Sequence, residues 1–259
     1  MTTRRMNRIF AADGRTVIVA LDHGLIDGPC EGFEHPGEVI AAVVAGGADA
    51  ILTSFGIAEA YAAELSAVGL ILRSDGAATN LGTPSTGSLS RFFGPEDALR
   101  LGADALVVTA MPGSDKEAAT LETLARTTAE AHRRGLPVLG EMVPGGFNSG
   151  PEMRGPDAVA LAARLGAELG ADFIKAPYCA DYASVTSSTF VPVVILGGAK
   201  GSEAEMLANI RDAIDAGAKG VAIGRNVFQC ENPTAMTEAI VAVVHRDASV
   251  DDAIGMLEG

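Results

Sequence analysis

The residue best suited to covalent chemistry is Lys175, which ends a short and mostly apolar run, residues 171–175. An ammonium group held among apolar side chains is destabilised relative to its neutral amine. The neutral amine is a nucleophile that can form a Schiff base with a carbonyl substrate. Lysines more often pair with a carboxylate or extend their charged end into solvent. Other features of the sequence are therefore needed to distinguish a nucleophilic lysine from a paired or solvent-exposed one.

Short apolar runs alternate with segments of helical periodicity along the chain. The predicted strands are residues 16–21, 48–53, 69–73, 104–109, 137–142, 172–175, 192–196 and 220–223. Between them, residues 115–134 and 203–216 place apolar side chains at helical spacing. Eight strands alternating with helices predict a closed (β/α)₈ barrel, an α/β fold, formed as a single domain over residues 1–259. An open doubly wound sheet shares this alternation, but no GxGxxG motif follows the first strand.

Several predicted helices end at a glycine that is followed by a small residue and a charged one. Glycine adopts a positive φ at little cost, so these triplets are suitable helix stops before a strand. The segments are Gly46-Gly47-Ala48-Asp49, Gly102-Ala103-Asp104, Gly170-Ala171-Asp172 and Gly217-Ala218-Lys219.

The composition excludes several classes of partner. With 33 acidic and 19 basic residues the net charge is −14, which opposes binding to nucleic acid or to an anionic membrane surface. Cys30, Cys179 and Cys230 form neither a CxxC pair nor an even set, so we expect no disulfide framework and a cytoplasmic location. We expect no signal peptide, because the basic start is not followed by a long apolar stretch, and no apolar run reaches membrane-spanning length.

Polar groups concentrate where the predicted strands end, which is the end at which barrel enzymes place their active sites. The first strand is followed by Asp22 and His23, the fifth contains Glu141, and the sixth ends at Lys175. The seventh and eighth strands are followed by Gly197-Gly198-Ala199-Lys200 and Gly224-Arg225-Asn226. These residues are the candidates for an active site.

The last two strand ends match the place where barrels commonly bind phosphate. Gly197 and Gly198 would let backbone amides approach an anion, while Ser202 can cap the next helix. Gly224 and Arg225 would add further amides and a guanidinium. The alternative is that the glycines only form tight turns and that Arg225 pairs with a carboxylate. Because both loops have the same character, we predict a phosphorylated substrate.

Four segments, in order along almost the whole chain, give a resemblance to a known family. They are Ala20-Leu21-Asp22-His23-Gly24 with Gly28-Pro29, Asp172-Phe173-Ile174-Lys175, Leu196-Gly197-Gly198-Ala199-Lys200 and Ile223-Gly224-Arg225-Asn226-Val227-Phe228-Gln229. The chain resembles the archaeal-type class I fructose-bisphosphate aldolases and their relatives, aminodideoxyheptulosonate synthase and the autoinducer-2 phosphate thiolase.

The resemblance implies a barrel enzyme in which Lys175 forms a Schiff base with a ketose phosphate or with dihydroxyacetone phosphate. Asp22 would be the carboxylate beside the lysine. Gly198, Lys200, Gly224 and Arg225 would bind the phosphate. No cofactor is implied, and the relatives suggest a homo-oligomer.

The chain departs from this family pattern on the fifth strand. The aldolases have there a proton-transferring tyrosine followed by proline, whereas this chain has Val143 before Pro144. Glu141 would point to the same side of the strand as Val143 and is the first candidate replacement, unless it only pairs with a lysine. His23, whose ordinary pKa suits proton transfer near neutral pH, is the second, and Tyr178 is the third.

Other functions remain open at this point. A zinc-dependent aldolase would need several histidines at the strand ends, but His132 and His245 fall in predicted outer helices, so we expect no metal. A thiolase-like acyltransferase on a phosphorylated diketone and a noncatalytic sugar-phosphate-binding protein are the two alternatives. Residues 74–90 could form a mobile lid or a plain loop, and residues 145–155 could contribute to selectivity for the aldehyde.

Overall fold

The structure is a computed structural model that describes residues 3–76, 79–82, 89–198 and 200–257. Residues 77–78 and 83–88, which belong to the segment 74–90 expected to form either a mobile lid or a plain loop, lie outside this range, as does Ala199 of the seventh strand end.

The described residues form ten strands, eight of which close into a parallel barrel. In chain order the strands are β1 (Thr16–Leu21), β2 (Ala50–Thr53), β3 (Gly69–Arg73), β4 (Asp75–Gly76), β5 (Ser90–Arg91), β6 (Ala105–Ala110), β7 (Val138–Met142), β8 (Phe173–Pro177), β9 (Val193–Leu196) and β10 (Gly220–Ile223). The short strands β4 and β5 form a separate antiparallel pair. The others follow one another around the barrel, and β10 pairs with β1 to close it. The predicted (β/α)₈ architecture is confirmed.

Helices flank the barrel strands along the chain, and most of them cover the outside of the barrel, whereas the first helix packs against its interior cluster. They are α1 (Thr3–Ile9), α2 (Gly24–Asp27), α3 (Pro36–Ala45), α4 (Phe55–Ala60), α5 (Pro95–Arg100), α6 (Glu117–His132), α7 (Pro156–Glu168), α8 (Tyr182–Ser188), α9 (Glu203–Asp215), α10 (Arg225–Phe228), α11 (Pro233–Arg246) and α12 (Val250–Gly255). Two 3₁₀ turns lie at Glu64–Ala67 and Pro151–Arg154. Ser202 caps α9 as predicted, because its hydroxyl accepts a bond of 3.2 Å from the amide of Glu205. Within the described residues, no helix has the length and apolar character that a membrane crossing requires.

Two apolar clusters hold the fold together. The larger lies between the strands and the outer helices, and the smaller fills the barrel interior with residues such as Ile18, Leu52, Ile71, Leu139 and Phe173. Alternate residues of a strand face opposite sides, so each strand contributes to both clusters. Helix α1 contributes Ile9 to the interior cluster, and the ring of Phe10 contacts that of Phe173 edge-on at 5.4 Å.

Three aspartates of the glycine-containing triplets fix the starts of neighbouring strands. Asp49 accepts a bond of 2.6 Å from the amide of Val17, Asp104 one of 3.1 Å from Leu70, and Asp172 one of 2.8 Å from Val138. The strands β2, β6 and β8 start one or two residues later than predicted, after these aspartates. Their carboxylates instead satisfy the first amides of the adjacent strands, and so help to set the register at the amino-terminal end of the barrel.

Candidate active site

Lys175 lies inside the barrel, near its carboxyl-terminal mouth. It is two residues after Phe173 of the interior cluster and therefore faces the same way. The residue is 5% exposed, and its Nζ lies 2.7 Å from Oε1 of Glu141. These two residues are register partners on β8 and β7. The lysine that the sequence singled out is thus both buried and directly paired with one of the predicted site residues.

Glu141 uses both of its oxygens in contacts with neighbouring strands. Oε1 pairs with Lys175, while Oε2 lies 2.8 Å from Nη2 of Arg73 and accepts a bond of 2.8 Å from the hydroxyl of Thr109. Burial opposes ionisation of this carboxyl, but Arg73 and Lys175 outweigh it and hold the pKa of Glu141 well below its usual range. Glu141 is therefore a fixed carboxylate with little tendency to take up a proton.

Arg73, at the end of β3, connects Asp22 with the partner of Lys175, Glu141, and was not among the residues predicted from the sequence. Its Nε lies 2.7 Å from Asp22, its Nη1 3.2 Å from Asp75 and its Nη2 2.8 Å from Glu141. Nη1 also donates a bond of 2.8 Å to the hydroxyl of Thr109. Burial alone would lower its pKa, but the three carboxylates raise the pKa of Arg73 well above its usual value.

Asp75 contacts Arg73 and joins the start of the segment 74–90 to β6. It is 1% exposed, and its Oδ2 accepts a bond of 2.8 Å from the amide of Thr109. Burial raises the pKa of Asp75, and the attraction of Arg73 only partly offsets this effect. The side chains of Arg73 on β3 and Thr109 on β6 alternate with Leu72, Val108 and Ala110 of the outer apolar cluster, and Asp75 follows Arg73 by two residues. That parity, which places them inside the barrel, is the signal that could have identified them from sequence.

Asp22 and His23 follow β1, as predicted. Burial raises the pKa of Asp22, but the nearby charge of Arg73, together with His23 and Lys175, more than offsets it, so that this pKa lies below its usual value. The Nδ1 atom of His23 lies 3.7 Å from Oδ1 of Asp22 and is buried without a hydrogen-bond partner among the described residues. The ring packs edge-on against Phe228 at 5.0 Å. Burial lowers the pKa of His23, which favours the neutral ring at physiological pH.

The loops after β9 and β10 lie side by side, as expected for a phosphate site. Nη2 of Arg225 donates a bond of 3.1 Å to the carbonyl of Gly198, and Nδ2 of Asn226 donates one of 3.2 Å to the carbonyl of Gly197. Lys200 Nζ donates to the carbonyl of Gln229. Gly198 has a φ of 67°, a conformation that favours glycine.

Two further observations make this loop pair suitable for an anion. The Nε atom of Arg225 is buried and has no hydrogen-bond partner in the described part of the chain. Gly224 has no room for a side chain, because a Cβ there would overlap the ring of His23 and the carbonyl of Ala20. Gly224 and Arg225 therefore lie beside His23, and Arg225 links them to the loop of Gly198.

Tyr178, the third predicted proton carrier, points away from this site. It is three residues after Lys175 on an extended segment, so its side chain faces the outer helices. Its hydroxyl donates a bond of 2.8 Å to Asp212 of α9. Burial and this bond to a carboxylate raise the pKa of Tyr178 to about 12. The candidate role of Tyr178 is thus not supported by its position.

Val143, at the place of the family tyrosine, is 1% exposed, and its amide bonds the carbonyl of Ala110 at 2.9 Å. The loop that follows is held by Arg154, which donates bonds of 2.7 and 2.8 Å to the carbonyls of Pro144 and Gly146. An apolar side chain therefore occupies this position of the barrel wall.

The histidines of the outer helices lie where the sequence predicted them. His132 of α6 contacts Asp172 at 2.8 Å, and His245 of α11 lies between Asp13 and Asp49. Across the described ranges, no group of three or more His, Cys, Asp or Glu residues could hold a metal ion.

A (β/α)₈ barrel that buries a lysine beside a carboxylate at its carboxyl-terminal mouth, next to two glycine-containing loops, has the architecture of a Schiff-base aldolase. The sequence model of the DeoC/LacD family aldolases matches residues 16–230. The chain belongs to this family and is a class I aldolase.

Curated relatives and solved structures agree with this assignment. The chain is 41% identical to the 2-amino-3,7-dideoxy-D-threo-hept-6-ulosonate synthase of Halobacterium salinarum over 257 residues, which cover 97% of this chain and 94% of the relative. It is 36% identical to synthase 1 of the same name from Archaeoglobus fulgidus, covering 96% and 93% of the two chains. An archaeal fructose 1,6-bisphosphate aldolase superposes with a TM-score of 0.84 at 33% identity, covering 94% of this chain and 99% of that one.

A second archaeal fructose-1,6-bisphosphate aldolase structure superposes with a TM-score of 0.83 at 32% identity, covering 94% of this chain and 99% of the other. In that structure the catalytic lysine is covalently bound to the carbinolamine intermediate of the substrate.

Proposed function

We propose that Lys175 is the Schiff-base nucleophile of a lyase that cleaves or forms a C–C bond of a phosphorylated ketose, with dihydroxyacetone phosphate or a related ketone phosphate as one partner. The observation that carries this proposal is the buried Lys175–Glu141 pair at the mouth of the barrel, 2.7 Å between Nζ and Oε1. The similarity to fructose-bisphosphate aldolases and to aminodideoxyheptulosonate synthases supports a phosphorylated ketone as the class of substrate.

The reaction begins when the neutral amine of Lys175 attacks the substrate carbonyl. The carbinolamine loses water to give a protonated imine, which withdraws electrons from the neighbouring C–C bond. When the C3–C4 bond breaks, its electron pair forms an enamine, and the C4 hydroxyl gives up its proton as the aldehyde leaves. Protonation of the enamine carbon and hydrolysis of the imine then release the second product and regenerate the lysine.

Glu141 is suited to bind the ammonium of Lys175 rather than to accept a proton from the substrate. Its Oε1 holds the ammonium of Lys175 before reaction, and its low pKa makes it a weak base toward an alcohol or a carbon acid. It remains a candidate for electrostatic stabilisation of the protonated imine, because the positive charge of the imine replaces that of the ammonium at the same atom.

His23 is the better candidate for the proton transfer that tyrosine performs in the resembling aldolases. It has a buried ring nitrogen without a partner among the described residues, and burial favours its neutral form, which can accept a proton near pH 7. Asp22, 3.7 Å from Nδ1, would stabilise the protonated ring. His23 also adjoins Gly224, so a substrate whose phosphate is bound by the last two loops would pass close to it.

In the proposed complex the phosphate is bound by Gly197, Gly198, Lys200, Gly224 and Arg225. Lys200 would exchange its bond to the carbonyl of Gln229 for the phosphate, and the unpartnered Nε of Arg225 would gain an acceptor. The backbone amides of the two loops would complete the site.

Reductive trapping tests the proposal. The protein is incubated with dihydroxyacetone phosphate or fructose 1,6-bisphosphate and reduced with borohydride, and its tryptic peptides are analysed by mass spectrometry. We expect a stable adduct on the peptide that contains Lys175, and none on that peptide in Lys175→Met. The matched control is Lys219→Met, which replaces an exposed lysine and should retain the adduct. Absence of an adduct with triose and ketose phosphates alike would overturn the proposal.

A further inference from the structure

We propose that Arg73 is a positioning residue whose charge keeps Lys175 reactive, because it neutralises the two carboxylates that face the lysine. The proposal builds on the role of Lys175 as nucleophile. Arg73 contacts Asp22 through Nε at 2.7 Å and Glu141 through Nη2 at 2.8 Å. A single side chain therefore connects the carboxylate after β1 with the carboxylate that holds the ammonium of Lys175.

Arg73 is placed to act through these neighbours rather than by touching the substrate. It is 8% exposed, and each of its three nitrogens has an acceptor: Asp22 for Nε, Asp75 and Thr109 for Nη1, and Glu141 for Nη2. A substrate group could reach the guanidinium only by displacing one of these buried partners, which would leave a carboxylate or hydroxyl unpaired.

The charge balance around Lys175 explains what Arg73 contributes. Imine formation requires the neutral amine, and each unneutralised carboxylate nearby favours the ammonium instead. Asp22, Asp75 and Glu141 supply three carboxylates, against which stand the cations of Arg73 and Lys175. Without Arg73, the ammonium of Lys175 would be the main cation facing this cluster, and it would hold its proton more tightly.

The two cations also compete for one carboxylate. Glu141 gives Oε1 to Lys175 and Oε2 to Arg73, so the negative charge is shared between two partners. Arginine is suited to this task because its planar fork can bind several carboxylates at once and stays charged throughout the working pH range. A lysine at position 73 would keep the charge but could not reach all of these acceptors together.

The test measures how readily the Lys175 amine forms an imine as a function of pH, without any presumed substrate. Formaldehyde condenses with the neutral amine, and cyanoborohydride supplies the hydride that reduces the imine to methyl-lysine. The chain has the lysines Lys116, Lys175, Lys200 and Lys219, so the methylation of each can be followed by peptide mass spectrometry. The measured quantity is the pH at which the methylation rate of Lys175 is half-maximal, with Lys219 as the exposed internal standard.

We expect this midpoint to move upward by about one pH unit in Arg73→Gln, and by less than half as much in Arg73→Lys, which keeps a cation in place. The Lys219 midpoint should stay the same in all variants. A merely structural role for Arg73 would lower the folded fraction without moving the midpoint. An unchanged or lower midpoint in folded Arg73→Gln would overturn the proposal.

The double variant Arg73→Gln with Asp75→Asn covers the case in which Arg73→Gln does not fold. It removes the cation together with one carboxylate, so the buried charges stay balanced, while Asp22 and Glu141 still face Lys175. The same upward direction is expected, and its absence would equally contradict the proposal. A shift of the midpoint without any dihydroxyacetone phosphate adduct at Lys175 would support the role of Arg73 and at the same time refute the proposed function.

Discussion

The ammonium of Lys175 and the carboxylate of Glu141 meet across adjacent barrel strands at 2.7 Å. The two interpretations of Lys175 that the sequence allows, a paired lysine and a nucleophile, are therefore compatible. Glu141 is in turn shared with Arg73, so one carboxylate contacts two cations. A lysine held in this way is fixed in position before a substrate arrives, which is what attack on a carbonyl requires.

The proposed division of labour between His23 and Glu141 predicts different results for their variants. Incubation of dihydroxyacetone phosphate in heavy water should lead to exchange of the carbon-bound proton next to the imine. We expect His23→Asn to slow this exchange by about 100-fold or more while the Lys175 adduct still forms. Glu141→Gln should retain exchange to within about tenfold, because Glu141 is held as a carboxylate of low basicity.

His35→Asn is the control for this comparison, since His35 is exposed at the start of α3. It should exchange at the wild-type rate, as measured by proton NMR. Loss of exchange in Glu141→Gln with its retention in His23→Asn would reverse the assignment of the proton carrier.

Thr109→Val should destabilise the protein without changing its shape. The Thr109 hydroxyl accepts from Arg73 and donates to Glu141, both at 2.8 Å, and valine can do neither. Because both partners are charged and buried, we expect the free energy of unfolding to fall by about 2 kcal/mol. Urea denaturation measures this loss.

Thr123→Val is the matched control, since among the described residues the hydroxyl of Thr123 bonds just the carbonyl of Ala119 within α6. Its effect should stay below about 0.5 kcal/mol. Equal effects of the two substitutions would show that Thr109 has no special role between Arg73 and Glu141.

Gly224→Ala should displace His23. A Cβ at this position would meet the ring of His23 and lie 2.6 Å from the carbonyl oxygen of Ala20, so one of them must move. We expect a loss of about 1–3 kcal/mol in the free energy of unfolding and slower proton exchange on dihydroxyacetone phosphate. Gly56→Ala is the control, because a Cβ there meets nothing within 4 Å. Wild-type exchange in a folded Gly224→Ala variant would contradict the placement of His23.

His245 should make the stability of the protein depend on pH at the amino-terminal end of the barrel. Its hydrogen bond to Asp49, helped by one to Asp13 and opposed by partial burial, raises the pKa of His245 above its ordinary value of 6.5. The stabilisation from a raised pKa is complete below the ordinary value and is lost as pH rises through the folded-state value. The free energy of unfolding should therefore decrease above about pH 6.5.

Urea denaturation at pH values from 5.5 to 9 tests this, with His245→Asn expected to flatten the dependence. Asp13→Asn should reduce it only in part, because Asp49 remains within 2.9 Å of Nε2. An identical pH dependence in wild type and His245→Asn would show that other groups cause it.

The sequence predicted the barrel because its eight apolar runs and helix-stopping glycines are local signals. It also predicted that Lys175, Glu141, Asp22 and His23 would converge, since the carboxyl ends of parallel strands meet. Arg73 was missed although it too ends a predicted strand, because its pairing with Asp22, Thr109 and Glu141 on other strands or their ends is not visible in the local sequence. Tyr178 was misjudged, although its odd spacing from Lys175 already placed it on the outer face.

The aspartates at positions 49, 104 and 172 set strand register at one end of the barrel, whereas at the other end Glu141 pairs with Lys175 and shares Arg73 with Asp22 and Asp75. Acidic side chains thus set strand register at one end of the barrel and form part of the candidate active site at the other. Val143 follows β7 at the mouth, whereas the three register-setting aspartates precede β2, β6 and β8 at the opposite end. In a barrel of this kind, residues at the mouth can therefore differ between enzymes while the opposite end, which sets strand register, is retained.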